Sequence, residues 1–248
     1  IIEGFGLNNF NITKNTKIDA GNSGTLARLI LGMLVKTKHK VKLIGDKSLS
    51  KRDFSRVLKP LRLLGVNVKS NKNLLPIEIS GTEFLRPISY DENIGSAQVK
   101  SCIILAALNT PGITQINAKN SRNHTELMLA YLGADLSIHK TDRSNVIELN
   151  AVNGYKKKTI YVPGDFSSAS FFIALGLLGE DSKLFIPNAG INPTRIAFLK
   201  VLIDMGANIE ISNRRKENNE EIADLIIQSS QLRMGNIRSE EHTSELQS

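Results

Sequence analysis

Three short stretches of this sequence combine glycine with small hydroxyl or amide side chains and lead into an apolar run. They are Gly21-Asn-Ser-Gly-Thr25, Gly95-Ser-Ala-Gln98 and Gly164-Asp-Phe-Ser-Ser168. Each has the pattern of a helix N-terminus, where a capping side chain leaves backbone N–H groups facing outward. Such an end favours negative charge, because the free N–H groups and the helix dipole act in the same direction. An arginine follows each stretch, at Arg52, Arg122 and Arg195. A guanidinium is a planar fork that matches a carboxylate or a phosphate, so the recurring combination suits recognition of small organic anions. The same residues also serve as plain helix caps and solvated charges, and spacing alone leaves both roles open.

The elements that must position these residues repeat in step with them. The opening glycines lie 74 and 69 residues apart. A second series comprises LKPLRLLGVNVK (58–69), LMLAYLGADLSIH (127–139) and FLKVLIDMGANIEI (198–211). Each reads as an apolar-periodic helix ending at Gly65, Gly133 or Gly206, followed at once by a short alternating strand. Glycine after the last helical turn supplies the left-handed cap. The unit is therefore about 70 residues of helix, strand, helix and strand, with further strands at residues 77–80 and 146–149. That period is long for a solenoid and predicts a few α/β units around a shared core. The first helix of each unit is apolar nearly all round, which predicts a buried, central position. Pro60 is expected to kink or split its helix. Asn192-Pro193 reads as a cap with a first-turn proline, and Asn123-x-x-Glu126 has capping-box spacing.

Composition narrows the classes. The 248 residues are 41% hydrophobic with a formal charge of +8, one Cys and no Trp. A single Cys102 excludes a disulfide framework and a Cys-rich metal site, and fits a reducing compartment. The longest apolar stretches, 102–108 and 169–178, are about half of the ~20 residues a bilayer span needs. No basic segment followed by an apolar one opens the sequence, so a cytoplasmic location is expected. His39, His124 and His139 lack metal-ligand spacing. With four Tyr and dispersed Lys, the chain has no basic–aromatic platform for nucleic acid. Both ends read as cut: Ile1 is not an initiator Met, and the last eleven residues, RSEEHTSELQS, resemble the translation of a sequencing adapter. Their one Arg and three Glu contribute −2, so the preceding 237 residues carry +10.

Six motifs in order carry a resemblance. Asp19-Ala-Gly-Asn-Ser-Gly-Thr25, Gly45-Asp-Lys-Ser-Leu-Ser-Lys-Arg52 and Ser96-Ala-Gln-Val-Lys-Ser101 come first. Ser121-Arg-Asn-His-Thr-Glu126, Val162-Pro-Gly-Asp-Phe-Ser-Ser168 and Asn192-Pro-Thr-Arg195 follow. Together they resemble the 5-enolpyruvylshikimate-3-phosphate synthase family from about Gly4 to Ile237, the Ser-Ala-Gln-Val-Lys form being similar to its class II branch. The resemblance implies an α/β (α+β) fold, an inverse α/β barrel-like enolpyruvyl transferase built from βαβαββ units, with about three of six units present. It implies that residues 1–160 are most of the domain carrying the substrate loops and that 161–237 begin a second domain, while the adapter-like string makes 238–248 foreign.

The implied reaction is enolpyruvyl transfer from phosphoenolpyruvate to the 5-hydroxyl of shikimate 3-phosphate, with no metal and no cofactor. The implied partners are these two small molecules, with no nucleic acid and no membrane, and the full-length protein is expected to be a monomer. Carried over by motif, the phosphoenolpyruvate ligands are Asn22, Gly24, Thr25, Arg52 and Gln98. The shikimate 3-phosphate ligands are Ser96, Ala97, Gln98 and Arg122, with Lys100 nearby. Arg195 and Ser167–Ser168 are expected to be structural. The family's N-terminal Lys-Ser motif is expected before Ile1, and its later acid–base residues beyond Ile237. No catalytic residue is therefore expected within the segment, which by itself should be inactive. Two positions depart from the pattern: Asp53 stands where the family usually has Pro, and Asn123 replaces the usual Asp.

Two other readings compete. UDP-N-acetylglucosamine enolpyruvyl transferase shares the fold and the donor, but its reactive cysteine belongs to a Gly-Gly-Cys segment, and the matching stretch is Gly45-Asp46-Lys47. Cys102 sits instead on an apolar helix face, where a buried inert thiol is expected. A non-catalytic module binding anions or nucleic acid is the second alternative.

Overall fold

The computed structural model describes residues 12–141, 144–152, 154–155 and 158–234. Ile237, beyond which the acid–base residues are expected, lies outside the described residues, as do the expected adapter tail and residues 1–11. The chain forms two compact units, Ile1–Asn120 with Gly133–Lys156, and Ser121–Leu132 with Lys157–Ser248.

In chain order the first repeat is β1 (Thr16–Asp19), α1 (Gly24–Met33), β2 (Val41–Ile44), α2 (Ser55–Leu63), β3 (Asn67–Ser70) and β4 (Ile77–Ser80). Its sheet runs β1-β2-β4-β3, with the first pair parallel and the others antiparallel. Alternation sets the register: Val41 and Leu43 face the core opposite Ile79 and Ile77, and all four are fully buried. The second repeat is β5 (Ser89–Glu92), α3 (Ala97–Ala107), β6 (Thr114–Lys119), α4 (His124–Leu132), β7 (Leu136–Lys140) and β8 (Ser144–Leu149). Its sheet, β5-β6-β8-β7, has the same order and the same pairing senses. The third repeat keeps α5 (Phe166–Leu178), β9 (Lys183–Gly190), α6 (Ala197–Asp204), β10 (Asn208–Glu217) and β11 (Glu220–Gln228). Its sheet runs β9-β11-β10, and the first strand is reduced to one parallel bridge from Gly164 to Ala189. The βαβαββ unit thus recurs, whole in the first two repeats and pared at its edge in the third.

The junctions follow the residues that mark them. Gly65, Gly133 and Gly206 take φ of +97°, +85° and +88°, the left-handed turn that ends each second helix. After Gly65 and Gly206 the next N–H reaches back to close the cap: Val66 donates to Leu61 at 3.1 Å and Ala207 to Leu202 at 2.9 Å. At the opposite ends, Ser23 accepts from the Leu26 N–H at 3.1 Å and Ser96 from the Val99 N–H at 3.4 Å.

Three sequence expectations need correction. Pro60 does not split α2, which runs unbroken with the ring buried and the Pro60 carbonyl accepting from Leu64 N–H at 3.0 Å. Asn192 caps a turn rather than α6: its Oδ1 accepts from the Thr194 N–H at 2.9 Å, and α6 starts only at Ala197 behind a cap without side-chain bonds. Uniform burial of the first helices holds for α3, which α1 and α2 both cover, and fails for α5. There Phe166, Ala169, Ile173 and Leu177 face β9 and β11, while Phe171, Phe172, Leu175 and Leu178 are each more than half exposed. A helix apolar all round does not itself specify which face is covered.

Candidate functional site

Within the first unit the two capped helix starts come together. Gly24 and Thr25 open α1, and Ala97 and Gln98 open α3 behind the Ser96 cap. The Gln98 side chain spans the two helices: its Nε2 donates to Thr25 Oγ1 at 2.8 Å, and its Oε1 accepts from Arg28 Nη1 at 2.7 Å. Both ends of the amide are thereby fixed. A short 3-10 turn, Leu49–Lys51, delivers the exposed Arg52 to the same place. A Cβ built on Gly24 would stand 3.1 Å from Arg52 Nη1 and 2.9 Å from Arg28 Nη1, so the missing side chain is what admits both guanidinium groups.

The loop between β1 and α1 is tied to the loop after β2. Asn22 donates from Nδ2 to Asp46 at 2.5 Å, and Asp46 also accepts from the Leu49 N–H at 2.7 Å. The Asn22 amide, then the Leu49 N–H, hold the Asp46 carboxyl below the usual carboxylate range. This link anchors the turn that carries Arg52.

Charge at the site is strongly positive. Half-buried Arg28 lies over the Phe54 ring, 5.4 Å from its centroid. Burial, then the charges of Arg52 and Arg56, make its protonated form less favourable than usual. An incoming anion relieves that repulsion. The departing residue Asp53 partly offsets the repulsion on Arg28, and its carboxylate is held in place, one oxygen accepting from the Ser55 N–H at 2.9 Å and the other from the Ser55 hydroxyl. These bonds brace the start of α2 from just outside it, the cap residue itself being Phe54.

Of the residues expected from sequence, Gly24, Thr25, Arg52 and Gln98 are in mutual reach, Ser96 and Ala97 form the adjoining helix start, and Asn22 flanks it. Lys100 is fully buried on α3. Arg122 belongs to the second unit, two residues before α4. Arg28 and Asp46 were missed by sequence reasoning. Arg28 carries a readable signal, since four residues after Gly24 it shares the face of the helix start.

In the third repeat the corresponding anion position is filled by the chain itself. Asp165 caps α5, accepting from the Ser167 and Ser168 N–H groups at 3.3 and 2.9 Å. Arg195 pairs with Asp165 at 3.3 Å and also donates to the Ser167 hydroxyl. Burial raises the Asp165 carboxyl, but the Ser168 and Ser167 bonds and the Arg195 charge outweigh it and leave it lowered.

Cys102 is fully buried, and burial pushes its thiol up to about 12. Its thiolate is therefore scarce at neutral pH. In the folded protein Cys102 is expected to resist a thiol-reactive dye at pH 8 and to label fully in denaturant. Rapid labelling of the native protein would contradict the buried, inert assignment.

A profile of the EPSP synthase (3-phosphoshikimate 1-carboxyvinyltransferase) family matches residues 1–244. A 3-phosphoshikimate 1-carboxyvinyltransferase of Petrotoga mobilis is 43% identical over 243 residues, 97% of this chain and 55% of that protein. One from Bartonella tribocorum is 44% identical over 236 residues, 94% of this chain and 53% of that protein. Among solved structures, EPSP synthase from Acinetobacter baumannii aligns with a TM-score of 0.80 at 36% identity, covering 92% of this chain and 52% of that one. The chain spans about half the length of the curated relatives it matches.

Proposed function

The chain belongs to the EPSP synthase family, and from that premise we propose that the whole protein transfers the enolpyruvyl group of phosphoenolpyruvate to the 5-hydroxyl of shikimate 3-phosphate. The 5-hydroxyl oxygen adds to C2 of phosphoenolpyruvate as the hydroxyl loses its proton and C3 gains one; in the tetrahedral intermediate the C2–O bond to phosphate then breaks as C3 loses a proton, which restores the double bond and releases inorganic phosphate. In this reading Arg52, Gly24, Thr25 and Asn22 receive phosphoenolpyruvate. Ser96, Ala97 and Arg122 receive the phosphorylated sugar acid, and Gln98 lies between the two. The observation that carries it is the Gln98 amide, locked between Thr25 and Arg28 beside the gap left by Gly24. Two substrates that each carry a carboxylate and a phosphate need converging cations and free N–H groups, and the first unit supplies both.

Residues 1–160 form most of one domain and residues 161–237 begin the next. The acid–base residues of the reaction belong to the part of the whole protein beyond Ile237, so residues 1–237 alone are inactive. The protein works in the cytoplasm as a monomer, without metal or cofactor, and takes neither nucleic acid nor membrane as a partner. Among the described residues no helix is long and apolar enough to cross a membrane. The UDP-N-acetylglucosamine reading is not favoured, because the Gly45-Asp46 loop offers no thiol and Cys102 is buried.

The test is genetic and then chemical. The complete gene is expected to restore growth of a strain that lacks this enzyme on medium without aromatic amino acids. Its product should release phosphate from phosphoenolpyruvate only when shikimate 3-phosphate is present. Phosphate release with UDP-N-acetylglucosamine instead, or no rescue by a well-expressed protein, would overturn the proposal.

A further inference from the structure

We infer that Asn192 and Glu220 are positioning residues for Arg122, acting through the two side chains that follow it. The inference rests on the reading of Arg122 as a shikimate 3-phosphate ligand. Arg122 lies in the connection between β6, which ends at Lys119, and α4, which begins at His124. That connection lies outside both elements, so what holds the residues after Arg122 bears on where Arg122 is placed.

Those neighbours are held from the third repeat. Asn123 Oδ1 accepts from Asn192 Nδ2 at 2.9 Å, and the same Nδ2 donates to Glu220 Oε2 at 2.9 Å. The other carboxylate oxygen, Glu220 Oε1, lies 2.6 Å from His124 Nδ1. Residues 123 and 124 are therefore tied by their side chains to one shared pair. From just before α4, the Asn123 carbonyl accepts from the Leu127 N–H at 3.1 Å, which passes the constraint into the helix.

The pair itself is rigid. Asn192 is buried, and its Oδ1 is already taken by the Thr194 N–H at 2.9 Å and the Thr194 hydroxyl at 2.7 Å. Turned over, its amide would set an oxygen against the Glu220 carboxylate and the Asn123 side-chain carbonyl oxygen and an NH2 against the Thr194 N–H, losing three of the four bonds. Glu220 opens β11 directly after the left-handed Asn218–Asn219 turn, and Asn219 adds a bond to the Leu127 carbonyl at 3.3 Å. Burial raises the Glu220 carboxyl, but the bonds from His124 and Asn192, with the charges of His124 and Arg195, bring it below its ordinary value. A charged acceptor makes each of these bonds stronger than a neutral one.

A positioning role differs from simple support of α4 in what it changes. Kinetics of the complete gene product separate the two. Asn192→Ala, Glu220→Gln and Asn123→Leu are each expected to raise the KM for shikimate 3-phosphate about tenfold, with KM for phosphoenolpyruvate and kcat within about threefold. Glu220→Gln keeps the side-chain volume and serves where Asn192→Ala fails to fold. Arg122→Ala tests the underlying reading in parallel and should raise the same KM at least as much. If Arg122→Ala raises that KM while Glu220→Gln leaves it unchanged, the inference is wrong and the ligand reading stands. A uniform loss of activity that tracks the folded fraction also overturns it. An unchanged KM in Arg122→Ala removes the ligand reading, and the inference with it.

Discussion

Replacing Arg52 by alanine is expected to raise the KM for phosphoenolpyruvate by about 100-fold, the scale of losing a charge-assisted bidentate contact. The link from Asn22 to Asp46 and on to the Leu49 N–H fixes the turn that ends at Arg52. The absent Cβ at Gly24 leaves room for the guanidinium beside the α1 start. Arg28 cannot substitute, because its Nη1 is committed to Gln98 at 2.7 Å and its side chain is half-buried. Arg52→Lys should recover the charge without the planar fork, and with it only part of the affinity. Because Arg52 is exposed, both variants should melt like the parent. Steady-state kinetics of the complete gene product with thermal melting decide the matter. A phosphoenolpyruvate KM within about threefold of the parent in Arg52→Ala would remove this residue from the site.

Much of the local architecture was readable because its signals are local. The capped starts at Ser23 and Ser96, the left-handed glycines at 65, 133 and 206, and β4 all sit where short patterns place them. The pairing order β1-β2-β4-β3 was not readable, since it joins strands across intervening helices and depends on packing rather than spacing. The same limit applies to the site. Gln98 meets Arg28 across 70 residues and Thr25 across 73, so its role entered only through resemblance. Asn192 misled for a physical reason: an Asn-Pro pair marks a turn as readily as a helix start, and the chain makes the turn first. Its second function, holding Asn123 and Glu220, leaves no trace in local pattern.

Gly32→Ala separates helix propensity from packing, because the two predict opposite signs. In an open helix, alanine in place of glycine adds about 1 kcal/mol of stability. Here a Cβ would stand 2.2 Å from the Cys102 carbonyl oxygen, 3.1 Å from its carbonyl carbon and 3.2 Å from its Cα. All three are backbone atoms of buried α3, so no rotamer change can relieve the clash, and α1 must move away from α3. A loss of about 3 kcal/mol in unfolding free energy is expected, at the upper end of overpacking costs. Gly133→Ala is the control for backbone strain: its Cβ meets nothing within 4 Å, but its φ is +85°, so about 1–2 kcal/mol should be lost there. The displacement at Gly32 also reaches the site. Eight residues along α1, about 12 Å away, lies Gly24. Its neighbour Thr25 is bonded at 2.8 Å to Gln98, at the start of the helix from which α1 must part. Weaker binding of phosphoenolpyruvate should therefore accompany the lower stability, even at temperatures where the variant is fully folded. Urea denaturation reads the first effect and calorimetric titration of the complete gene product reads the second. An unfolding midpoint equal to or above the parent's would mean that α1 and α3 do not cross closely at Gly32, and the helix pair could not then be what aligns the two helix starts.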